Sequence, residues 1–166
     1  MIRKLHHSAY RCRDSEATRQ FYEDFLGLRL AGTLEINETK TGRKTSTLHT
    51  FYELDDGSYL AFFEAPDMAF EFKRQHDYDL HIALEVPEPA LEQMLARGNA
   101  RGIETRGISD HGFIRSIYFR DPNGYVIELT AKMRDHARAM DPATNGARAK
   151  LDQWSARMRR DASAPS

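Results

Sequence analysis

Cysteine is almost missing from this chain: Cys12 is the only one in 166 residues, which excludes an intrachain disulfide and a cysteine-built zinc cluster. No charge of one sign prevails. Lys and Arg number 24 against 25 Asp and Glu, for a formal net charge of −1, so no global field draws in nucleic acid or an anionic membrane. Long apolar runs are absent as well. The opening Met-Ile-Arg-Lys-Leu-His-His lacks the apolar centre of a secretory leader, and no stretch approaches the roughly 20 apolar residues of a membrane span. The expectation is a cytoplasmic protein with neither nucleic-acid nor membrane partners. Hydrophobic residues make up 40% of the chain, enough for one well-buried core and short of two independent ones.

What is present reads as a strand and helix pattern given twice. Residues 4–12 alternate as a first strand, with His7, Ala9 and Arg11 on one face and His6, Ser8, Tyr10 and Cys12 on the other. Asp14 and Ser15 are helix N-caps, Ala17, Phe21 and Phe25 recur at helical spacing, and Gly27 stops the helix. Strands follow over 28–37, 45–54 and 58–64, with a polar excursion over 38–44 and a hairpin signal at Asp55-Asp56-Gly57. A connector over 66–79 has room for one or two helical turns around Phe70 and Phe72, an aromatic pair that suggests packing.

The second half repeats this order. Residues 80–86 form a strand with Leu80, Ile82, Leu84 and Val86 on its apolar face and His81, Ala83 and Glu85 opposite. Pro87-Glu88-Pro89 opens a helix whose buried stripe is Ala90, Leu91, Met94 and Leu95, with Gly98 at its end. Strands over 102–108 and 113–119 lead to Asp121-Pro122-Asn123-Gly124, a turn in which Asn and Gly both tolerate positive φ, and then to the last strand. The repeat sets His7 against His81 in the first strand of each half, and Glu64 against Glu128 in the last. The fold class is therefore α+β: two βαβββ modules, about 4–64 and 80–131, in a domain over 1–132. A tail over 133–166 follows, in which Ala147, Leu151, Trp154 and Met158 form the stripe of a terminal helix that docks on its own domain or on a partner subunit. The last five residues should fray.

Glu128 is the anomaly. It sits within Tyr125-Val126-Ile127-Glu128-Leu129, where a lone carboxylate is costly to bury unless it is paired or binds a metal. Alternation puts Val126, Glu128 and Thr130 on one face and Ile127 and Leu129 on the other. Two imidazoles and up to two carboxylates suit Fe(II), Mn(II), Ni(II), Co(II) or Zn(II) and offer no soft ligand for copper(I). His6 lies on the face opposite His7 and takes a surface or packing role.

These features resemble the vicinal oxygen chelate superfamily, which includes glyoxalase I, bleomycin-resistance proteins and extradiol dioxygenases. The resemblance rests on the paired βαβββ order, on His7 seven residues before Asp14, on Phe21-Tyr22 leading to Leu26-Gly27-Leu28, and on the close from Asp121 to Leu129; it covers 4–132. It implies a cup formed by the two modules, one divalent metal ion (Fe, Ni, Mn, Co or Zn) held by His7, Glu64, His81 and Glu128, a small-molecule substrate, and a homodimer.

Two reactions compete, and the first, proton transfer, is the preferred one. The four-ligand set resembles glyoxalase I, in which a glutamate moves a proton between adjacent carbons; Glu128 and Glu64 would then be ligands and catalytic base and acid. The rival is extradiol ring cleavage, because His111, Tyr118 and Glu128 with the Asp-Pro turn resemble that enzyme signature, departing from it at Ser109. There His7, His81 and Glu128 form a two-histidine, one-carboxylate triad and His111 and Tyr118 hold the substrate oxygens. Against it, the acid/base histidine the resemblance expects near the end of the fourth strand is missing from Phe62-Phe63-Glu64-Ala65-Pro66. Glu64 decides between them: as a ligand it favours proton transfer, and turned away it favours ring cleavage. A third class, a metal-free binding protein, ranks last because all four ligand positions are filled. Arg11 and Arg115 are the candidates for holding substrate carboxylates.

Overall fold

A computed structural model describes residues 1–163. The strands are β1 (His7–Arg11), β2 (Arg29–Glu38), β3 (Lys44–Glu53), β4 (Tyr59–Glu64), β5 (His81–Glu85), β6 (Thr105–Asp110), β7 (Ile114–Arg120) and β8 (Val126–Lys132). The helices are α1 (Ser15–Arg19), continued by a π-helical turn over Gln20–Phe25, then α2 (Glu88–Ala100), α3 (His136–Ala139) and α4 (Ala147–Ser163). The strands form two four-stranded sheets of the same order, β1-β4-β3-β2 and β5-β8-β7-β6. The repeat read from the sequence is thus a repeat of topology, and the fold is α+β with a C-terminal helix. No helix among the described residues is long and apolar enough to cross a membrane.

The chain divides into two compact units. The first comprises Met1–Ile82 with Tyr118–Glu128, and the second comprises Ala83–Ile117 with the chain from Leu129 onward.

In the first unit β1 runs parallel to β4, and β3 pairs antiparallel with both β4 and β2. Register pairs share a side of the sheet, so one face carries Leu60, Phe62 and Glu64 of β4 with Leu48, Thr50 and Tyr52 of β3. The helical segment packs there: Tyr22 lies 4.6 Å from Phe62 and 5.6 Å from Tyr52, ring centre to ring centre. Asp14 caps α1 as expected, its side chain accepting the N–H of Ala17 at 2.7 Å. The buried stripe is Thr18, Phe21, Tyr22 and Phe25 rather than one that starts at Ala17, because the bond from Leu26 N–H to Phe21 O, 2.9 Å, spans five residues and rotates the last turn. Gly27, at φ +89°, ends the segment.

No helical turn forms around Phe70 and Phe72 in the connector over 66–79; the chain turns at its end instead, where the His76 carbonyl accepts the N–H groups of Asp79 at 2.9 Å and Leu80 at 3.1 Å. Contacts from β1 and the loop after it fix the connector. Arg11 Nη2 donates to the carbonyls of Ala65 and Met68 at 2.9 Å, while the Arg11 and Arg13 guanidinia lie over Phe70 and Phe72 at 5.2 and 4.4 Å. Those contacts engage the carbonyls and rings of this stretch, and 69–76 takes no regular structure.

The Asp-Pro-Asn-Gly turn also departs from expectation. Gly124 takes positive φ, +98°, but Asn123 does not. Asn123 is buried, and its side chain accepts the N–H of Arg13 at 2.9 Å and donates to Asp121 at 3.0 Å. Its amide group, not its backbone tolerance, fits it to this place.

In the second unit α2 runs to Ala100, two residues past Gly98, and buries Leu91. Glu88 pairs with Arg115 at 2.8 Å, and Glu85 with Lys132 at 2.6 Å. The burial of β5 alternates as the sequence reading has it. The stripe of α4 stays largely open: Leu151, Trp154 and Met158 are 58%, 53% and 39% exposed. Of the residues expected to fray, Ala162 and Ser163 lie within α4, and 164–166 fall outside the described residues.

Candidate metal centre

β8 is buried on both faces, so Glu128 is sealed in, 6% exposed, with Val126 of its own face and Ile127 and Leu129 of the other. Its neighbour is the histidine at the start of β5. His81 Nε2 lies 3.3 Å from Glu128 Oε2, and His81 Nδ1 lies 2.6 Å from the Asp77 carbonyl oxygen. A carbonyl only accepts, so Nδ1 carries the hydrogen and a neutral ring leaves Nε2 bare. In that form Nε2 and Oε2 turn two lone pairs toward the same space, which a shared proton or a metal cation would fill. Such a hard nitrogen and oxygen pair, with the second imidazole nitrogen anchored to a carbonyl, is the chemistry of a divalent-metal half-site.

Tyr118 belongs to this place. The bonds Asp121 N–H to Tyr125 O and Met133 N–H to Phe113 O, with the Ser116 to Thr130 hydroxyl bond at 3.1 Å, set one antiparallel register between β7 and β8. In that register Tyr118 stands directly across from Glu128 on the same face. His111 lies in the β6–β7 turn, exposed, its N–H donating to Ile114 O at 3.0 Å.

His7 and Glu64 part company. His7 pairs with Tyr59 in the sheet register, on the side that also carries Ala61 and Phe63. Its ring is exposed, its Nδ1 lies 2.8 Å from that of His6, and it touches His49 and Phe51 edge-on. Glu64 points to the opposite, helix-packed side, where its Oε2 accepts the N–H of Ser15 at 2.7 Å. The expectation of Glu64 as a fourth ligand meets this alternation: it is an odd number of residues from Tyr59, His7's partner, and so cannot share His7's face. Among the described residues no group of three or more His, Cys, Asp or Glu could hold a metal ion within one chain.

The arginines considered for substrate are engaged elsewhere, Arg11 on the connector carbonyls and Arg115 on Glu88. Sequence reading passed over His49, on β3, although a histidine inside the apolar run Leu48 to Tyr52 is the same kind of anomaly as Glu128. It also passed over the polar core before Glu128. There Asp121 accepts bonds from Tyr22 OH at 2.9 Å, from Asn123 N–H at 2.9 Å and from Tyr125 N–H at 2.8 Å. Burial raises the Asp121 carboxyl above its ordinary range against those bonds, and burial with the nearby Asp121 lifts Tyr22 well above an ordinary phenol. Tyr125 OH donates to Arg11 O at 2.8 Å and is pushed up to about 12, chiefly by burial. This network fixes the start of β8, and thereby the position of Glu128.

The family model described as Glyoxalase/Bleomycin resistance protein/Dioxygenase superfamily matches residues 4–129. Among solved structures, the chain is similar to a fosfomycin resistance protein, FosX, from Listeria monocytogenes complexed with Mn(II) and 1S,2S-dihydroxypropylphosphonic acid. The two are 20% identical, covering 83% of this chain and 99% of that one, with a TM-score of 0.63. FosX from Mesorhizobium loti is 22% identical, covering 84% and 99%, with a TM-score of 0.59. A glyoxylase/bleomycin resistance protein/dioxygenase domain from Frankia sp. EAN1pec is 17% identical, covering 80% and 100%, with a TM-score of 0.63. At these identities the likeness is one of fold. No curated protein sequence matches the chain.

Proposed function

The chain belongs to the Glyoxalase/Bleomycin resistance protein/Dioxygenase superfamily, and from that premise we propose a divalent-metal enzyme for a small molecule bearing two adjacent oxygens, its metal held by His7, His81 and Glu128. The observation that carries this reading is the anchored His81 Nε2 facing the buried Glu128 carboxylate at 3.3 Å. A bound metal ion supplies Lewis acidity toward the substrate oxygens. A FosX of the same fold is described with Mn(II) and a vicinal diol, which supports that class of substrate.

The third donor comes from a second copy. Among the described residues no third His, Cys, Asp or Glu joins His81 and Glu128 in a metal-holding group, while His7 is exposed, its Nδ1 2.8 Å from that of His6. Two chains related by a twofold axis would each lend His7 to the other's pair and build two identical sites.

Of the two reactions, oxygen-dependent cleavage of a catechol-type ring is the better reading. Glu64 is committed to the Ser15 amide, so three protein donors remain, and three leave room for two substrate oxygens and dioxygen where four do not. Tyr118, across from Glu128, is placed to hydrogen-bond a substrate oxygen. Proton transfer of the glyoxalase kind is the second reading. It is favoured by the buried carboxylate of Glu128 itself, which would have to act as base without help from Glu64.

Anaerobic reconstitution with Fe(II) and with Ni(II), followed by parallel assays of catechols with oxygen and of hemithioacetals, tests the choice. Ring cleavage predicts oxygen uptake with catechol and Fe(II) alone. Hemithioacetal turnover with Ni(II) and no oxygen uptake would overturn it in favour of the second reading.

A further inference from the structure

The face of the first sheet that carries His7 holds another histidine for which the metal reading has no use. His49 pairs in register with Phe63 on one side and Leu34 on the other, which sets its side chain on the His7 face, with the two rings 6.4 Å apart. It is 6% exposed. A buried imidazole requires partners for both nitrogens. Nδ1 has one, the Phe62 carbonyl oxygen at 3.0 Å. Because a carbonyl only accepts, Nδ1 carries the hydrogen and Nε2 is left as an acceptor. No protein donor among the described residues reaches that atom. Nor is it sealed in: the buried side-chain polar atoms without a partner are Arg11 Nε, Thr50 Oγ1 and Tyr52 OH, so Nε2 keeps a path to solvent.

The ring is also held still. It stacks on Phe63 at 3.6 Å between centres and 8° between planes, and Phe51 leans on it at 4.2 Å. A histidine that only filled space would need neither the fixed tautomer nor the open acceptor. We propose that His49 is a substrate-binding residue, its neutral Nε2 accepting a hydrogen bond from a hydroxyl of the substrate held beside His7. The surroundings specify the class further. Phe51, Phe63 and Tyr59 share this face with Ala9 and Ala61, with Arg11 and Glu53 in the same register toward its ends, so the surface suits a flat molecule with an apolar body whose polar edge points at the two histidines. An aromatic vicinal diol has that form. This inference rests on the ring-cleavage reading above and adds a residue to its substrate site.

The test uses Mn(II) and 4-nitrocatechol with the full-length protein, its His49→Phe variant, which keeps a ring for the stack but no acceptor, and its His49→Gln variant, which restores an acceptor. Metal content and visible absorbance of the bound catechol are read separately. The proposal expects His49→Phe to hold Mn(II) as wild type does and to bind 4-nitrocatechol about tenfold or more weakly, with His49→Gln in between. If His49→Phe does not fold by near-ultraviolet circular dichroism, His49→Leu serves as the acceptor-free variant. Equal 4-nitrocatechol affinity in wild type and the acceptor-free variant, with metal retained in both, overturns the role of His49 and leaves the metal reading standing. Parallel loss of metal and catechol in the variant also overturns it, since His49 would then serve the metal. Wild-type protein that takes up no Mn(II) yet binds 4-nitrocatechol overturns the metal reading alone, and His49 is then judged by the same affinity ratio.

Discussion

Glu64 Oε2 accepts the backbone N–H of Ser15 at 2.7 Å, and this one bond ties the end of β4 to the start of α1. The carboxylate meets an N–H at the positive end of a helical segment, a place that favours negative charge. Glu64→Gln should therefore keep full metal content while lowering stability by about 1 kcal/mol in urea unfolding. His81→Ala and Glu128→Gln should lose the metal with little change in the unfolding of the first sheet. Loss of metal in Glu64→Gln by elemental analysis would restore the four-ligand site.

Cross-chain sites make a prediction that a single-chain site cannot. His7→Ala and His81→Ala, each unable to hold metal alone, should regain it when unfolded together and refolded as a mixture. A mixed dimer combines the intact His7 of one chain with the intact His81 and Glu128 of the other. Random pairing makes half the dimers mixed with one good site of two, so recovery should approach about a quarter of the wild-type metal content. No recovery in a mixture shown to exchange subunits would place the third donor elsewhere.

The exposed stripe of Leu151, Trp154 and Met158 should lie in the same assembly, since an apolar helix face of this kind calls for cover. Light scattering should give about twice the 19.1 kDa chain mass. Trp154→Glu should shift that mass toward the monomer, and a wild-type protein of chain mass alone at micromolar concentration counts against the dimer.

Alkaline pH should weaken the first unit over a defined window. Tyr52 and Tyr125 are both pushed up to about 12, chiefly by burial, whereas an unfolded tyrosine titrates near 10. Between those values the folded state binds more protons than the unfolded one, so stability is full below pH about 10 and falls as pH rises toward about 12. Denaturant melts at stepped pH should show that slope, and Tyr125→Phe should flatten it. A slope unchanged in that variant would remove Tyr125 from the account.

Gly124 admits no side chain. It sits at φ +98°, and a Cβ there would collide with the carbonyl oxygen of Lys73. Gly124→Ala should destabilise the protein by about 2–4 kcal/mol through strain and displacement of the connector. A loss below about 1 kcal/mol, the ordinary scale for Gly in a tolerant turn, would mean that the connector yields.

Sequence by itself determined the order and type of nearly every element, because strand alternation, helix caps and turn residues are local properties of neighbouring side chains. It determined the repeat, and it marked His7, Glu64, His81 and Glu128 as one set through matching positions, with Glu128 also marked by an out-of-place charge. What it could not decide depended on register and on contacts between distant segments. Glu64 reads like Glu128 along the chain, yet β4 pairs with β1 so that Glu64 falls on the side opposite His7, and a one-residue change of parity reverses the direction of a side chain. His49 gained meaning only when β3 brought it beside His7 and Phe63. The connector has room by composition for a helical turn around Phe70 and Phe72, but two arginines of the first strand and its following loop engage its carbonyls and rings instead. In each case the deciding energy lies in contacts that exist only after the chain has folded.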